Sequence, residues 1–461
     1  MIKPMSVHVV ILAAGKGTRM NSELPKVLQP LGGKPMLEHV VNTAATLENV
    51  QFHIVVGHGC EQVKQHFQQR AEVNWVLQEQ QLGTGHAVSQ AMPGISAEQG
   101  PGVVLVLCGD VPLISTASLE QLIKNADADT LAILTLVTNN PTGLGRIVRD
   151  TEDHVIGIVE EKDATPEQRK IREINSGIMA LPADRLRTWL QRLGNNNKQG
   201  EYYLTDVISM AVNDGCHIFT KAIDDEWEVM GINDKAQLAS LERHYQQLKA
   251  DELMHQGTTL LDPQRIDIRG DLKCGRDVTI DVNVVFEGEV NIGNNVTIES
   301  NVKISNSSIG DNSVILANSV IENADIADQC SIGPFARLRP GSVLKSRSKV
   351  GNFVETKNST LGEGSKANHF AYIGDADIGN DVNIGAGTIF CNYDGARKHR
   401  CVIGSNVFIG SNSTLVAPVS ISDGAFVAAG STINADVSEN ELAIGRGRQR
   451  NITGWQRPTK S

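Results

Sequence analysis

The second half of the chain carries an apolar residue at every sixth position, and this period restricts its fold more than any other feature of the sequence. One register runs from Ile280 to Ile304 and a second from Ile403 to Ile433, with mostly small or polar residues between the repeats. Such a period is typical of a parallel β-helix, in which each triangular coil contributes three short strands and the apolar side chains fill the interior. Glycine and asparagine suit the corners, where unusual backbone angles are needed. We therefore predict a parallel β-helix of hexapeptide repeats.

The six-residue register slips between Val343 and Cys401. We expect loops around Arg339–Lys349 and Asn392–Arg400. Insertions in a repeat protein usually map to one face, which is often the binding face. The functional residues of this half are therefore expected in its irregular part.

The first half alternates short apolar runs with polar, helix-compatible segments. Continuous apolar runs suit strands that are buried on both faces of a sheet. The alternation predicts an α/β domain with a mostly parallel, Rossmann-like sheet. The expected strands include Val7–Leu12, Phe52–Val56, Val103–Leu107 and Leu131–Val137, and Glu61–Arg70 and Ser118–Asn125 are expected helices.

One amphipathic helix is expected between the halves. Residues 234–256 contain no glycine or proline, and Leu238, Leu241, Tyr245 and Leu248 follow at steps of three or four residues. We therefore predict a first domain at 1–235, a linker helix at 236–256 and a β-helix domain at 257–461.

Composition excludes several classes of protein. The formal net charge of −11 argues against a nucleic-acid partner that is bound through phosphate neutralisation. No apolar run approaches the ~18 residues that would span a bilayer, and the first residues lack a signal-peptide pattern. Seven cysteines without a CxxC pair are typical of reduced thiols, so we expect a cytoplasmic protein.

A glycine loop follows the first apolar run, in the stretch LAAGKGTRM. Gly15 and Gly17 allow the backbone to approach a ligand closely, and Thr18 and Arg19 add a hydroxyl and a delocalised cation. Lys26, after Pro25, supplies a second cation. The loop alone is compatible with a phosphate site or with a tight turn that carries surface cations.

Several motifs in order resemble those of the sugar nucleotidyltransferases. LAAGKGTRM with LPK is followed by QLGTGH at 81–86, GDVP at 109–112, GLGR at 143–146, NSG at 175–177 and GIN at 231–233. Together with the hexapeptide half, essentially all 461 residues are similar to the bifunctional bacterial UDP-N-acetylglucosamine pyrophosphorylases/glucosamine-1-phosphate N-acetyltransferases. This resemblance implies a left-handed β-helix, acetylation of glucosamine 1-phosphate by acetyl-CoA, and transfer of UMP from UTP.

The resemblance also implies the roles of residues in the first half. Arg19 and Lys26 would stabilise the phosphates, and Asp110 and Asn233 would hold Mg²⁺. Many relatives carry Tyr where this chain has Cys108, so a ring contact is not expected there. The implied nucleotide and sugar contacts are Leu12, Ala13, Ala14, Gly15, Lys26, Gln78, Gly83, Thr84, Cys108, Gly109, Asp110, Gly145, Glu160, Asn175 and Asn233.

In the second half, His369 is the candidate base, because the amine must lose a proton when it attacks a thioester. The competing interpretation is a histidine on a solvated face of the solenoid. By the same resemblance, Arg339 and Lys357 would clamp the sugar phosphate, and Tyr372 and Asn383 would orient the sugar. The implied acetyl-CoA contacts are Ala386, Asn392, Tyr393, Ser411, Ala429 and Arg446.

The remaining expectations concern assembly and the alternatives. The tail from Arg446 to Lys460 has five basic residues and no acidic one, so it is either a solvated tail or a contact to the phosphates of CoA. The resemblance implies a homotrimer that assembles through the β-helix. The alternatives are a single-activity nucleotidyltransferase with a structural β-helix, and a non-catalytic scaffold like the exchange-factor subunits of eukaryotic translation initiation.

Overall fold

A computed structural model describes residues 6–68, 70, 72–95 and 102–458, so Lys460 lies outside the described residues. The chain divides into two compact units, Met1–His244 and Tyr245–Ser461. Helix α7 (Lys235–His255) runs across this division, close to the predicted linker at 236–256. All seven cysteines are free. Within the described ranges, no helix is long and apolar enough to cross a membrane.

The first unit is α/β. Its strands are β1 (Ser6–Ala13), β2 (Pro30–Leu31), β3 (Lys34–Pro35), β4 (Val50–Val56), β5 (Val73–Leu77), β6 (Gly102–Cys108), β7 (Thr130–Val137), β8 (Arg146–Arg149), β9 (Val155–Val159), β10 (Glu173–Pro182) and β11 (His217–Ile223). Its helices are α1 (Met36–Ala44), α2 (Cys60–His66), α3 (Thr84–Ala91), α4 (Thr116–Lys124), α5 (Ala183–Arg192) and α6 (Asp206–Asn213). The main sheet has the order β11-β7-β10-β6-β1-β4-β5, with β8 and β9 at its side.

This sheet is mostly parallel, as predicted. Strand β1 pairs in parallel with β4 and β6, whereas β10 runs antiparallel to β6 and β7. The apolar runs form strands because both faces of the sheet are covered: Val9 and Ile11 belong to one core, and Val10 belongs to the other. The carboxyl ends of β1 and β6 meet at one edge, where open α/β sheets bind their ligands.

The second unit is a parallel β-helix, as predicted. Its strands are β12 (Thr259–Leu260), β13 (Ile266–Cys274), β14 (Thr279–Ile280), β15 (Val284–Ile292), β16 (Thr297–Ile298), β17 (Lys303–Ile309), β18 (Val314–Ile315), β19 (Val320–Glu322), β20 (Asp325–Ile326), β21 (Ser331–Ile332), β22 (Arg337–Leu338), β23 (Val343–Leu344), β24 (Lys349–Asn352), β25 (Glu355–Lys357), β26 (Thr360–Leu361), β27 (Lys366–His369), β28 (Tyr372–Gly374), β29 (Ala376–Ile378), β30 (Asn383–Ile384), β31 (Ile389–Cys391), β32 (Cys401–Ile403), β33 (Phe408–Ile409), β34 (Thr414–Val416), β35 (Val419–Ile421), β36 (Phe426–Val427), β37 (Thr432–Ile433) and β38 (Leu442–Ala443).

The repeated apolar residues form the interior of this β-helix. Ile280, Ile298 and Ile315 pair on three successive coils, and each is at most 1% exposed. The end of the interior is closed by Ala250 and Leu253 of α7, which belong to the same core. The aliphatic repeat therefore supplies most of the buried surface of this unit.

One of the two expected loops is absent. Residues 339–349 contain the regular strand β23, and the register slips because successive coils differ in length. Ser331 pairs with Lys349, 18 residues on, whereas Lys349 pairs with Lys366 after only 17. The second expected loop, 392–400, is present as an insertion between β31 and β32.

Candidate active sites

The glycine loop after β1 brings the backbone close to Lys26. Gly17 adopts a φ of 58°, and a Cβ atom on it would lie 2.6 Å from the Cβ of Lys26. A larger residue would therefore be strained and would displace the lysine. A Cβ on Gly15 would meet nothing within 4 Å, which leaves open space beside the loop.

Lys26 forms an ion pair with Asp110 beyond the end of β6, and its Nζ atom lies 3.2 Å from Oδ1 of Asn233. The amide of Ile232 donates to the Asp110 carbonyl at 3.0 Å, which ties the Asn233 loop to the same strand end. Two side-chain oxygens thus converge on one cationic group.

These two oxygens fit a magnesium site. Within the described residues there is no group of three or more His, Cys, Asp or Glu that could hold a metal ion. Mg²⁺ usually takes one or two protein oxygen ligands and completes its shell with water and substrate phosphates. The Asp110 and Asn233 oxygens are of this type, and the Lys26 ammonium shows that they attract a cation.

A cavity of about 330 Å³ lies beside this cluster. Gln78, which is 3% exposed, is fixed at its wall by bonds from its Nε2 to the Gly83 carbonyl at 3.2 Å and to Nδ1 of His86 at 3.0 Å. Gln81 and Glu201 also line the cavity, although neither was among the predicted site residues. The predicted residues that it brings together are Leu12, Ala13, Ala14, Gly15, Lys26, Gln78, Gly83, Thr84, Cys108 and Asp110.

Three further predicted residues form a second group. The amide of Asn175 donates to the Gly145 carbonyl at 2.9 Å, and a Cβ on Gly145 would lie 3.6 Å from the Glu160 carboxylate oxygens. Thr205 donates to Oε1 of Glu160 at 3.0 Å. Burial raises the pKa of Glu160, against the opposing effect of the Thr205 hydrogen bond.

This Glu160 group is linked to the cavity by two contacts. The amide of Leu204, next to Thr205, donates to Oγ1 of Thr84 at 3.1 Å. The Cys108 thiol lies 3.9 Å from the Gly177 carbonyl, two residues beyond Asn175. Burial raises the pKa of Cys108 to about 12, so this thiol stays protonated.

Two predicted residues, Gly109 and Arg19, are not among those that line the cavity. Gly109 contributes through its backbone, because its amide donates to the Leu12 carbonyl at 3.0 Å. Arg19 lies in the short 3-10 helix Thr18–Met20 and is exposed, and it is not among the residues that line the cavity. The structure therefore does not bring Arg19 to the cavity wall.

On the β-helix, a cationic group surrounds the end of β25. Lys357 lies 3.6 Å from the Asp375 carboxylate, and Arg339 donates to Glu355 at 2.8 Å. A hydrogen bond with Lys398 raises the pKa of Lys357 and lowers that of Lys398. Lys398 lies in the predicted loop 392–400 but was not predicted as a site residue. The only sequence signal was its place in that insertion.

His369 ends strand β27 and pairs in register with Asn352 on the preceding coil. Its Nδ1 atom lies 2.6 Å from the Oδ1 atom of Asn352. Because an amide oxygen only accepts, Nδ1 carries the proton and Nε2 keeps a free lone pair. Asn352 therefore holds the ring of His369 through Nδ1, although sequence reasoning did not identify it.

Three of the predicted acetyl-CoA contacts, Ala386, Ser411 and Ala429, follow one another at one corner of the β-helix. The Ala386 carbonyl accepts from Asn412 at 2.7 Å, and the Ser411 carbonyl accepts from Gly430 at 2.8 Å, so these residues stack on successive coils. Arg446 donates to the Ala429 carbonyl at 2.7 Å. Asn383 lies on β30, three residues before Ala386.

Loop 392–400 is an ordered hairpin beside the Lys357 group. Tyr393 bridges to Lys398 across the hairpin, is 60% exposed, and donates to the Gly395 carbonyl at 2.6 Å. At the base of the loop, Asn392 donates to Asp375 at 2.5 Å and lies 3.5 Å from the Tyr372 hydroxyl. The hairpin thus joins predicted sugar and acetyl-CoA contacts.

Models of known families match three parts of the chain. That of the MobA-like NTP transferase domain matches residues 9–200, that of the GMPPB C-terminal domain matches 268–350, and that of the bacterial transferase hexapeptide repeats matches 400–435. A solved nucleotidyl transferase structure from Methanothermobacter thermautotroptrophicus has a TM-score of 0.37 and 20% identity, and the match covers 52% of this chain and 97% of that chain.

Relatives match the chain over its whole length. The bifunctional protein GlmU of Stutzerimonas stutzeri is 56% identical over 456 residues, which make up 99% of this chain and 100% of that protein. The bifunctional protein GlmU of Cellvibrio japonicus is 56% identical over 454 residues, 98% of this chain and 99% of that protein. That of Marinobacter nauticus is 53% identical over 455 residues, 99% of each. The chain therefore belongs to the GlmU family of bifunctional proteins.

Proposed function

We propose that the chain is a bifunctional enzyme that acetylates glucosamine 1-phosphate with acetyl-CoA and then transfers UMP from UTP to the product. The final products are UDP-N-acetylglucosamine and pyrophosphate. The observation that carries this proposal is that each compact unit has its own polar groups: the first has the Lys26–Asp110 pair, and the second has the Lys357–Asp375 pair and the His369–Asn352 pair. Free cysteines are compatible with a cytoplasmic location.

In the first site, a phosphate oxygen of N-acetylglucosamine 1-phosphate attacks the α-phosphorus of UTP, and pyrophosphate leaves. The nucleophile is already ionised near neutral pH, so catalysis consists of positioning and of neutralising charge. Lys26 neutralises the charge of phosphate oxygens. The cavity lined by Gln78 and Gly83 receives uracil and ribose. Glu160 accepts hydrogen bonds from sugar hydroxyls. For Arg19, which is exposed and does not line the cavity, the proposed contact with the phosphates rests on the family motif alone.

Asp110 and Asn233 are the residues that would hold Mg²⁺. When bound, this ion supplies neutralisation of the charge that develops on the phosphates. Asp110 follows a buried strand, and the Asn233 loop is tied to it by the bond between Ile232 and the Asp110 carbonyl, so the two oxygens are held in place before substrate arrives.

In the second site, the amine of glucosamine 1-phosphate attacks the thioester carbon of acetyl-CoA. A C–N bond forms and the C–S bond breaks. The amine proton passes to Nε2 of His369, which then gives it to the departing sulfur, so that CoA leaves as its thiol and the histidine is neutral again. The Asn352 oxygen holds Nδ1–H and stabilises the imidazolium that forms. Arg339, Lys357 and Lys398 bind the sugar phosphate, because these three basic side chains interact with one another there.

We also propose a homotrimer that assembles through the β-helix. Phe335, Phe353 and Phe370 stack on successive coils with centroid distances of 5.3 and 5.4 Å, and they are 49%, 52% and 65% exposed. An exposed apolar ladder of this kind marks an association surface. Sedimentation of Phe353→Asp tests this: a shift from trimer to monomer is expected, and an unchanged trimer would exclude this ladder as the interface.

The reaction sequence is tested with Asp110→Asn and His369→Gln, each assayed alone and then mixed. Asp110→Asn is expected to lose UMP transfer and keep acetyl transfer, and His369→Gln is expected to lose acetyl transfer and keep UMP transfer. The mixture is expected to convert glucosamine 1-phosphate into UDP-N-acetylglucosamine. If His369→Gln acetylates normally, His369 is not the base. If wild type transfers UMP but does not acetylate, the β-helix is only structural. If neither wild-type activity is found, the scaffold interpretation replaces this proposal.

A further inference from the structure

Asp375 is a buried carboxylate that the proposed reaction does not use directly. It lies at the corner after β28, adopts a φ of 50°, and its side chain is 9% exposed. Oδ1 accepts from Asn358 at 2.6 Å, Oδ2 accepts from Asn392 at 2.5 Å, and Lys357 lies 3.6 Å from Oδ2. Both carboxylate oxygens therefore accept a hydrogen bond. The three partners are Lys357 at the end of β25, Asn358 directly after it, and Asn392 at the start of the 392–400 hairpin.

The same residue contacts both ends of the 392–400 hairpin. Its side chain accepts from Asn392, where the hairpin begins, and its carbonyl accepts from the amide of Cys401, where the hairpin ends, at 3.1 Å. Its own amide donates to the Lys357 carbonyl at 3.0 Å. Asp375 is thus joined by backbone and side chain to the phosphate-binding lysine and to the loop that carries Tyr393 and Lys398.

We propose that Asp375 is a positioning residue that fixes the 392–400 hairpin against Lys357, so that the acetyl-CoA loop and the sugar-phosphate clamp are held in one arrangement. This inference rests on the proposed acetyl transfer. A carboxylate is required because it offers two acceptors and no donor. An asparagine would direct its amide group at one of the two Asn donors and would remove the charge opposite Lys357.

The test uses Asp375→Asn with Asp381→Asn as the matched control. Asp381 adopts a similar φ of 55° at an exposed corner of the same β-helix. We expect kcat/KM for acetyl transfer to fall by roughly 10-fold to 100-fold in Asp375→Asn, the range for losing hydrogen bonds to a charged group. The KM values for glucosamine 1-phosphate and acetyl-CoA should both rise, while UMP transfer to N-acetylglucosamine 1-phosphate stays unchanged.

The double variant Asp375→Asn/Asn358→Asp restores a matching donor and acceptor pattern. The new Asn would donate to residue 358 and accept from Asn392. Recovery of the acetyl-CoA KM in the double variant supports positioning. An equal defect in the single and double variants, or a single variant that behaves like Asp381→Asn, would overturn the proposal.

Trypsin provides a readout that does not depend on activity, because the hairpin contains Arg397, Lys398 and Arg400. Asp375→Asn is expected to be cleaved there several-fold faster than wild type and Asp381→Asn, and equal cleavage would count against the inference. If wild type itself does not acetylate glucosamine 1-phosphate, the proposed function has failed, and the cleavage rates still decide whether Asp375 holds the hairpin.

Discussion

Replacing Lys26 by Met removes the ammonium that pairs with Asp110 and approaches Asn233, while the length of the side chain is nearly kept. The side chains of Lys26 and Asp110 are 14% and 22% exposed, so the effective dielectric constant at this site lies between that of bulk water and that of a dry protein interior. A pair of unit charges 4 Å apart is worth about 1 kcal/mol in water and about 4 kcal/mol at an effective dielectric constant of 20.

An intermediate value of ~2–3 kcal/mol is therefore expected for the interaction of this ammonium with a UTP phosphate. Since each 1.36 kcal/mol corresponds to a tenfold change in rate, kcat/KM for UTP should fall by roughly 30-fold to 150-fold. The assay is pyrophosphate release at varied UTP with saturating N-acetylglucosamine 1-phosphate and Mg²⁺.

Lys64→Met is the control, because Lys64 is a partly exposed lysine on α2 of the same unit. It should leave kcat/KM for UTP within about twofold, since surface ion pairs contribute little. Acetyl transfer by Lys26→Met should equal that of wild type. A loss of less than about threefold in UMP transfer, or a parallel loss of acetyl transfer, would refute the assignment of Lys26 to phosphate neutralisation.

Three further predictions concern titratable groups of the first unit. Because burial raises the pKa of Glu160, the carboxylate is lost as the pH falls toward that raised pKa, so the KM for N-acetylglucosamine 1-phosphate should rise as the pH is lowered from neutral. A Glu160→Gln variant with the same pH dependence would contradict this. Burial, followed by the charge of His8, lowers the pKa of His53 to about 4, whereas the unfolded chain has a pKa of ~6.5. The unfolded state therefore binds a proton before the folded state does as the pH falls through this interval. The free energy of unfolding should decrease by at most ~3 kcal/mol. Denaturant unfolding of wild type and His53→Gln at pH 7 and pH 4.5 checks this, and identical pH dependence would refute it. Because burial raises the pKa of Cys108 to about 12, iodoacetamide at pH 8 should label Cys108 only after denaturation, and rapid labelling of the native protein would show that the thiol is ionised.

The sequence predicted the fold of both units because each depends on a period that is visible in the chain. The apolar run Val7–Leu12 lies within β1, and the six-residue repeat defines the interior of the β-helix. The antiparallel direction of β10 was not predicted, because direction is set by the connection and not by the apolar pattern. The loop expected at 339–349 was wrong, because these residues lie in a regular coil of 18 residues, and the six-residue spacing breaks only in the 17-residue coil that follows.

The site residues that sequence reasoning missed depend on contacts that are distant in the chain. Glu201 reaches the cavity because the segment around Tyr202 returns to Gly83, whose added Cβ would lie 2.6 Å from the Tyr202 carbonyl. Asn352 meets His369 only because the coil between them has 17 residues. Lys398 reaches Lys357 through the fold of the inserted hairpin. None of these contacts produces a local sequence pattern.

The central claim is that two activities act in order on one sugar phosphate. The most direct measurement gives the purified protein glucosamine 1-phosphate, acetyl-CoA, UTP and Mg²⁺, and follows free thiol and pyrophosphate together, with a second reaction that omits acetyl-CoA. We predict thiol release in the complete reaction, with pyrophosphate appearing only when acetyl-CoA is present. Pyrophosphate formation without acetyl-CoA would contradict the proposed order, because the sugar site of the first unit would then accept the unacetylated amine.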